Sequence, residues 1–149
     1  MNPRYVYLVR HAKAEAERGS GDAARALTSG GRDAFRALVA SLRPRLHIDR
    51  IVTSPFVRAR ETAELLADAT GAPVEEEEAL GSGRLTGRQI LDLAARRGAG
   101  VAWVGHNPEF AEAIALVAGY EEKLRPGSIA ALRNAPKLSL EWLEAPAKD

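Results

Sequence analysis

The sequence predicts an α/β protein in which helices cover both faces of a mostly parallel sheet. Two observations predict it. Short, nearly unbroken apolar runs such as Tyr5-Val6-Tyr7-Leu8-Val9 and Val101-Ala102-Trp103-Val104-Gly105 have the length and composition of strands buried on both sides. Segments with apolar residues at helical spacing separate these runs, so the order reads β-α-β-α-β-α-β-α-β-β, and such alternation builds a parallel sheet.

Taken in order, the first strand covers Tyr5 to Val9, directly after Met1-Asn2-Pro3-Arg4, and stops at Arg10-His11. Glu15 to Ala26 is polar, with Gly19-Ser20-Gly21 at its centre, and reads as a mobile loop that could lie over a site. Thr28 or Ser29 is a candidate N-cap, and Phe35, Leu38, Val39 and Leu42 predict a helix from about residue 29 to 43, ahead of Pro44. Ile48 to Thr53 forms a second strand. Ser54 as cap and Pro55 in the first helical position then open a helix to about Thr70, with Arg58 in its first turn.

Pro73-Val74 begins a weak strand that runs into Glu75-Glu76-Glu77-Glu78, a block read as solvated surface. Leu80 to Arg84 is a loop, and Arg88 to Arg97 a short amphipathic helix. After the strand Val101–Gly105 comes His106, with Asn107 as cap and Pro108 as first residue of a helix reaching Gly119. Ser128 to Arg133 and Ser139 to Leu143, around Asn134-Ala135-Pro136, complete the sheet as an edge hairpin. There is no repeat or linker, so residues 1–149 are expected to form one domain.

Composition narrows the function. A net charge of +1 argues against nonspecific nucleic-acid binding and against polybasic attachment to membranes. The absence of cysteine excludes disulfides, thiolate metal sites and a thiol nucleophile. No signal peptide or bilayer-length apolar run is legible, which makes a soluble cytoplasmic protein the expectation.

Three strand ends carry polar groups: Arg10 and His11, Ser54 and Arg58, and His106. In open α/β sheets ligands bind beyond the carboxyl ends of the strands, so aligned strands would bring these groups together. Each has a plainer reading, as a strand end in solvent, a helix arginine paired with Glu61 or Glu64, or a structural histidine. Together, two histidines and two arginines suit capture of a phosphoryl group. The cations spread over its oxygens while a neutral imidazole lies in line with the leaving group, and nearby arginines favour that neutral form. His47 reads as structural.

These residues also carry a resemblance. Leu8-Val9-Arg10-His11-Ala12, Ser54-Pro55-Phe56-Val57-Arg58-Ala59 with Glu61-Thr62-Ala63, and Gly105-His106-Asn107-Pro108, with Leu27-Thr28-Ser29-Gly30-Gly31 between them, resemble the motifs of the histidine phosphatase superfamily. Size and spacing look most like its SixA-type phosphohistidine phosphatase branch. The resemblance covers Tyr5 to about Leu132 and implies a three-layer α/β/α sandwich of the phosphoglycerate mutase-like kind.

The resemblance implies that His11 is a nucleophile that becomes phosphorylated and that Arg10, Arg58 and His106 surround the phosphoryl oxygens. It implies no metal or other cofactor. Ser54 is a further candidate for substrate binding. Larger relatives place a catalytic acid in the region matching Glu75 to Gly83, where Glu78 is a weak candidate. Ala12 replaces the usual glycine and is expected to narrow the approach to the nucleophile.

The compact chain lacks the insertions of phosphoglycerate mutases, and an open, shallow site is expected. The leading expectation is a phosphatase acting on a protein phosphohistidine, with a phosphorylated carrier protein as partner. The alternatives are a phosphatase of small phosphomonoesters and a noncatalytic domain that binds phosphorylated ligands.

Overall fold

The computed structural model describes residues 4–134 and 137–148. The expected lead-in at Met1 to Pro3 and the turn at Ala135-Pro136 lie outside the described residues. Six strands form one sheet: β1 (Tyr5–Arg10), β2 (Arg50–Thr53), β3 (Val74–Glu76), β4 (Val101–Gly105), β5 (Ile129–Asn134) and β6 (Leu138–Glu144). Four helices connect them: α1 (Ser29–Leu42), α2 (Val57–Thr70), α3 (Gly87–Arg97) and α4 (Glu109–Ala118). The predicted order of elements is the observed one.

Strands lie in the order β3-β2-β4-β1-β5-β6. The chain moves outward from β1 to β2 and β3, then returns through α3 to place β4 between β1 and β2. β1, β2, β3 and β4 are mutually parallel along this path, whereas β5 and β6 run antiparallel at the other edge.

Period-two alternation divides each central strand between two apolar layers. Tyr7 and Val9 of β1, Ala102 and Val104 of β4, and Ile129 and Ala131 of β5 pack with α1 and α2 residues such as Phe35, Val39, Ala63 and Leu66. Val6, Leu8, Val101, Trp103, Ala130 and Leu132 pack on the opposite face with Ile90, Ala94, Phe110 and Ile114 of α3 and α4. Both faces are covered, as the unbroken apolar runs require.

Most boundaries shift by a residue from expectation, and three of the shifts have a local cause. Strand β2 begins at Arg50 because Leu46 closes a 3-10 turn on Arg43, and the backbone N–H of His47 is spent on the Tyr7 hydroxyl at 3.0 Å. Helix α2 begins at Val57, capped by Phe56. Ser54 is still bonded to the sheet, its N–H donating to Val104 O at 2.9 Å, so it cannot start the helix. Helix α4 begins at Glu109 after a cis Asn107-Pro108 bond. Asn107 accepts instead from Ala111 N through its side-chain oxygen at 3.2 Å.

Thr28 caps α1 as expected, and a Thr86/Gln89 capping box opens α3. Gly119 closes α4 in the left-handed conformation. The Glu75–Glu78 block is paired rather than simply solvated: Glu75 meets Arg50 and Arg97, Glu76 meets Arg60, and Glu78 meets Arg84. Among the described residues no helix is long and apolar enough to cross a membrane.

Candidate active site

Three adjacent strands end side by side. Arg10 is in register with Gly105, His11 N–H donates to Gly105 O at 3.1 Å, and Ser54 N–H donates to Val104 O. The ladder therefore sets Arg10-His11, His106 and Ser54 along one edge of the sheet, and α2 adds Arg58 from its first turn. His11, Ser54, Arg58 and His106 are all buried. The expected convergence of these side chains is what the structure contains.

His11 is held in one tautomer. Its Nδ1 lies 2.7 Å from Ala12 O, and a carbonyl only accepts, so Nδ1 carries the proton. Nε2 is left with its lone pair, and Arg58 Nε donates to it at 3.3 Å. Ala12 is itself fixed by Thr62 Oγ1, which accepts from Ala12 N at 3.0 Å and donates to Arg58 O at 2.8 Å. The Ala12 methyl packs in the apolar layer with α1 and α2.

His106 lies 5.3 Å from His11 between ring centres. Its Nε2 is 2.7 Å from Ser54 Oγ, which also accepts from Phe56 N at 3.2 Å. The arrangement that satisfies the Ser54 proton has the hydroxyl donating to Nε2, which leaves Nδ1–H as the other imidazole donor. That Nδ1 is buried and has no partner. Arg10 presents a second such group: Nη1 donates to Leu124 O at 2.9 Å, while Nε is buried and unpaired. Buried donors without partners are rare and costly, and two of them, Arg10 Nε and His106 Nδ1, belong to residues at this one edge of the sheet, donors that suit an anion.

Burial depresses both histidines. His11 is pushed down to about 4, chiefly by desolvation, with the Ala12 carbonyl opposing and Arg58, Arg10 and Arg25 adding to the fall. His106 is pushed down to about 3 by desolvation first and then by His11, Arg58 and Arg10, against the attraction of Asp22. The arginines act in the expected direction, but loss of water is the larger cause.

Three residues escape the sequence reading. Phe56 packs its ring 4.9 Å from that of His106, with the Arg58 guanidinium 5.0 Å from the Phe56 centroid. Glu109, buried at the start of α4, accepts from Gly83 N and ties the loop after β3 to that helix, while Gly81 of the same loop lies against Phe56. Asp22 accepts from Arg58 Nη2 at 3.0 Å. Its loop is pinned at the base, where Glu15 N donates to Ala26 O at 2.8 Å, so its tip covers the site. The expected open, shallow site is thus covered in this structure. Glu78 is exposed and faces Arg84 at 3.6 Å.

The sequence matches the model of the histidine phosphatase superfamily (branch 1) over residues 6–119. It is 34% identical over 73 residues to the phosphohistidine phosphatase SixA of Escherichia coli, a stretch covering 48% of this chain and 45% of that protein. The chain therefore spans less than half the length of this curated relative. Two solved structures share its fold. One, assigned as a phosphohistidine phosphatase SixA from Agrobacterium tumefaciens, has a TM-score of 0.84 at 24% identity, covering 98% of this chain and 100% of the other. The protein histidine phosphatase SixA complexed with tungstate has a TM-score of 0.81 at 23% identity, covering 95% and 97%.

Proposed function

This chain belongs to the histidine phosphatase superfamily, branch 1, and we propose that it is a phosphatase acting through a phosphohistidine on His11, with a protein phosphohistidine as substrate. The observation that carries this reading is His11 kept unprotonated at Nε2, where Arg58 Nε donates to it, at the strand edge that also holds Arg10 and His106, whose Nε and Nδ1 are buried without a partner. A domain that only binds phosphorylated ligands needs the cations but has no use for a neutral imidazole kept in the Nε2-nucleophilic tautomer.

In the first step His11 Nε2 attacks phosphorus and the bond from phosphorus to the substrate nitrogen breaks. The substrate imidazole departs neutral, keeping the proton on its second nitrogen. Arg10, Arg58 and His106 hold the phosphoryl oxygens as charge shifts onto them. In the second step water attacks phosphorus, the bond to Nε2 breaks, and inorganic phosphate leaves. His11 regains its lone pair, and Ala12 O keeps the tautomer unchanged throughout.

An imidazole leaving group needs less help from an acid than an alkoxide does. The position of Glu78, exposed on Arg84, accords with a phosphohistidine substrate rather than an alkyl ester. The test is release of phosphate from a histidine-phosphorylated carrier protein, with a small aryl phosphate as reference. Rapid release from the carrier, lost in His11→Ala, is expected; turnover of the aryl ester alone would move the substrate to small phosphoesters.

A further inference from the structure

Asp22, on the loop after β1, holds two of the three guanidinium nitrogens of Arg58. Arg58 has three nitrogens, and all are engaged: Nε on His11 Nε2 at 3.3 Å, Nη1 on Asp22 O at 2.8 Å, and Nη2 on Asp22 Oδ2 at 3.0 Å. A guanidinium is a rigid planar fork whose Nε and Nη2 share one edge. The two acceptors on that edge are therefore neighbours, and a phosphoryl group bonded to Nε2 would bring its own oxygens to the place the carboxylate holds.

We infer that Asp22 is an internal competitor for the phosphoryl group, occupying the fork of Arg58 in the resting protein and setting the affinity and charge selectivity of the site by having to leave. This rests on the reading of His11 and Arg58 as the phosphoryl seat. Asp22 and a phosphate dianion cannot share the fork, because both are acceptors and both are negative. Their exchange costs affinity in proportion to how fully Asp22 occupies it.

The surroundings suit a displaceable occupant. The Asp22 side chain is 55% exposed although that of Arg58 is only 5% exposed, and ion pairs open to water on one side are weak. The other carboxylate oxygen accepts from Arg25 Nη1 at 3.0 Å, so Asp22 keeps a cationic partner when it leaves Arg58. Gly19 and Gly21, both at φ +94°, lie just before Asp22 and give the segment leading into it backbone freedom. The loop base is fastened by the Ala14 and Leu27 bridge, which confines the motion to the segment carrying Asp22.

Binding of inorganic phosphate to the full chain, measured by calorimetry at fixed ionic strength, tests this. Asp22→Asn, nearly the same shape but uncharged, and Asp22→Ala are both expected to bind phosphate about tenfold more tightly than the parent. Asp22→Glu, which restores the charge, is expected to stay within a factor of about three of the parent on the same reasoning. Unchanged or weaker binding in both Asp22→Asn and Asp22→Ala would overturn the inference and make Asp22 a support for Arg58. Arg58→Ala is the separate control: loss of phosphate binding supports the underlying seat, and unaltered binding would overturn that seat whatever Asp22 does.

Discussion

The floor and the roof of the site are built in opposite ways. The floor comprises Arg10-His11, Ser54 and His106, fixed by the pairing of β1, β4 and β2 and backed by two apolar layers. The roof is the loop from Glu15 to Ala26, mostly exposed, touching the floor through the Asp22 and Arg58 pair. The floor fixes the proton positions on which chemistry depends, while the roof contributes only contacts that water can replace. On the proposed reading, reactivity belongs to the strand ends together with Arg58 of α2, and access to the loop.

The comparison breaks most sharply at His11. His11→Ala is expected to lower turnover by at least about a thousandfold and to leave the far-ultraviolet circular dichroism of the folded chain in place. Substantial residual turnover would show that another group attacks phosphorus. Arg58→Ala is expected to slow phosphate release by about a hundredfold and to weaken inhibition by vanadate in parallel. A surface arginine would change neither.

Acid acts on the floor through its two histidines. With His11 held near 4, kcat/KM should be level from about pH 5 upward through neutrality as far as His11 governs it, and should fall as pH drops through about 4. A fall centred near 6.5 would mean an unburied nucleophile. Stability follows the same histidines. The unfolded chain binds their protons near the ordinary 6.5, but the folded chain only near 4 and 3. Their contribution to stability is full above about pH 6.5 and declines as pH falls below it. Urea midpoints at pH 7 and pH 5 should show the decline.

Packing gives the smaller effects. A Cβ at Gly105 would lie 2.6 Å from a ring carbon of buried Phe110, so Gly105→Ala should cost about 1–3 kcal/mol through overpacking of the floor. In the roof, Gly21 has φ +94° and no atoms near the place of a Cβ. Gly21→Ala, at φ +94° and ψ 158°, should strain the loop locally by about 1–3 kcal/mol, strain an exposed tip can shed by opening, so the chain's urea midpoint shifts less than for Gly105→Ala. A larger shift would mean that the roof belongs to the cooperative core.

The same contrast explains what was legible in the sequence. The order of elements along the chain and the positions of the floor residues followed from apolar runs ending at Arg10-His11, Ser54 and His106, because period and punctuation are local properties of the chain; the order of strands within the sheet did not. Asp22 was not legible: nothing within the loop reports that Arg58, 36 residues on, receives its carboxylate. Phe56 stood only as one residue of the Ser54–Ala59 motif, and its edge contact with the His106 ring depends on how α2 meets β4. Ser54 and Asn107 were read as caps because Ser-Pro and Asn-Pro usually open helices. Sheet bonding at Ser54 moved the start of α2 from Pro55 to Val57, and the start of α4 moved from Pro108 to Glu109.

The most direct test of the central claim is to quench the working enzyme under alkaline conditions and locate the trapped phosphate by mass spectrometry and phosphorus NMR. An acid-labile phosphate on Nε2 of His11, absent from His11→Ala, is the predicted result. Phosphate on Nδ1 or on another residue, or full turnover with no trapped species in any quench, would contradict it.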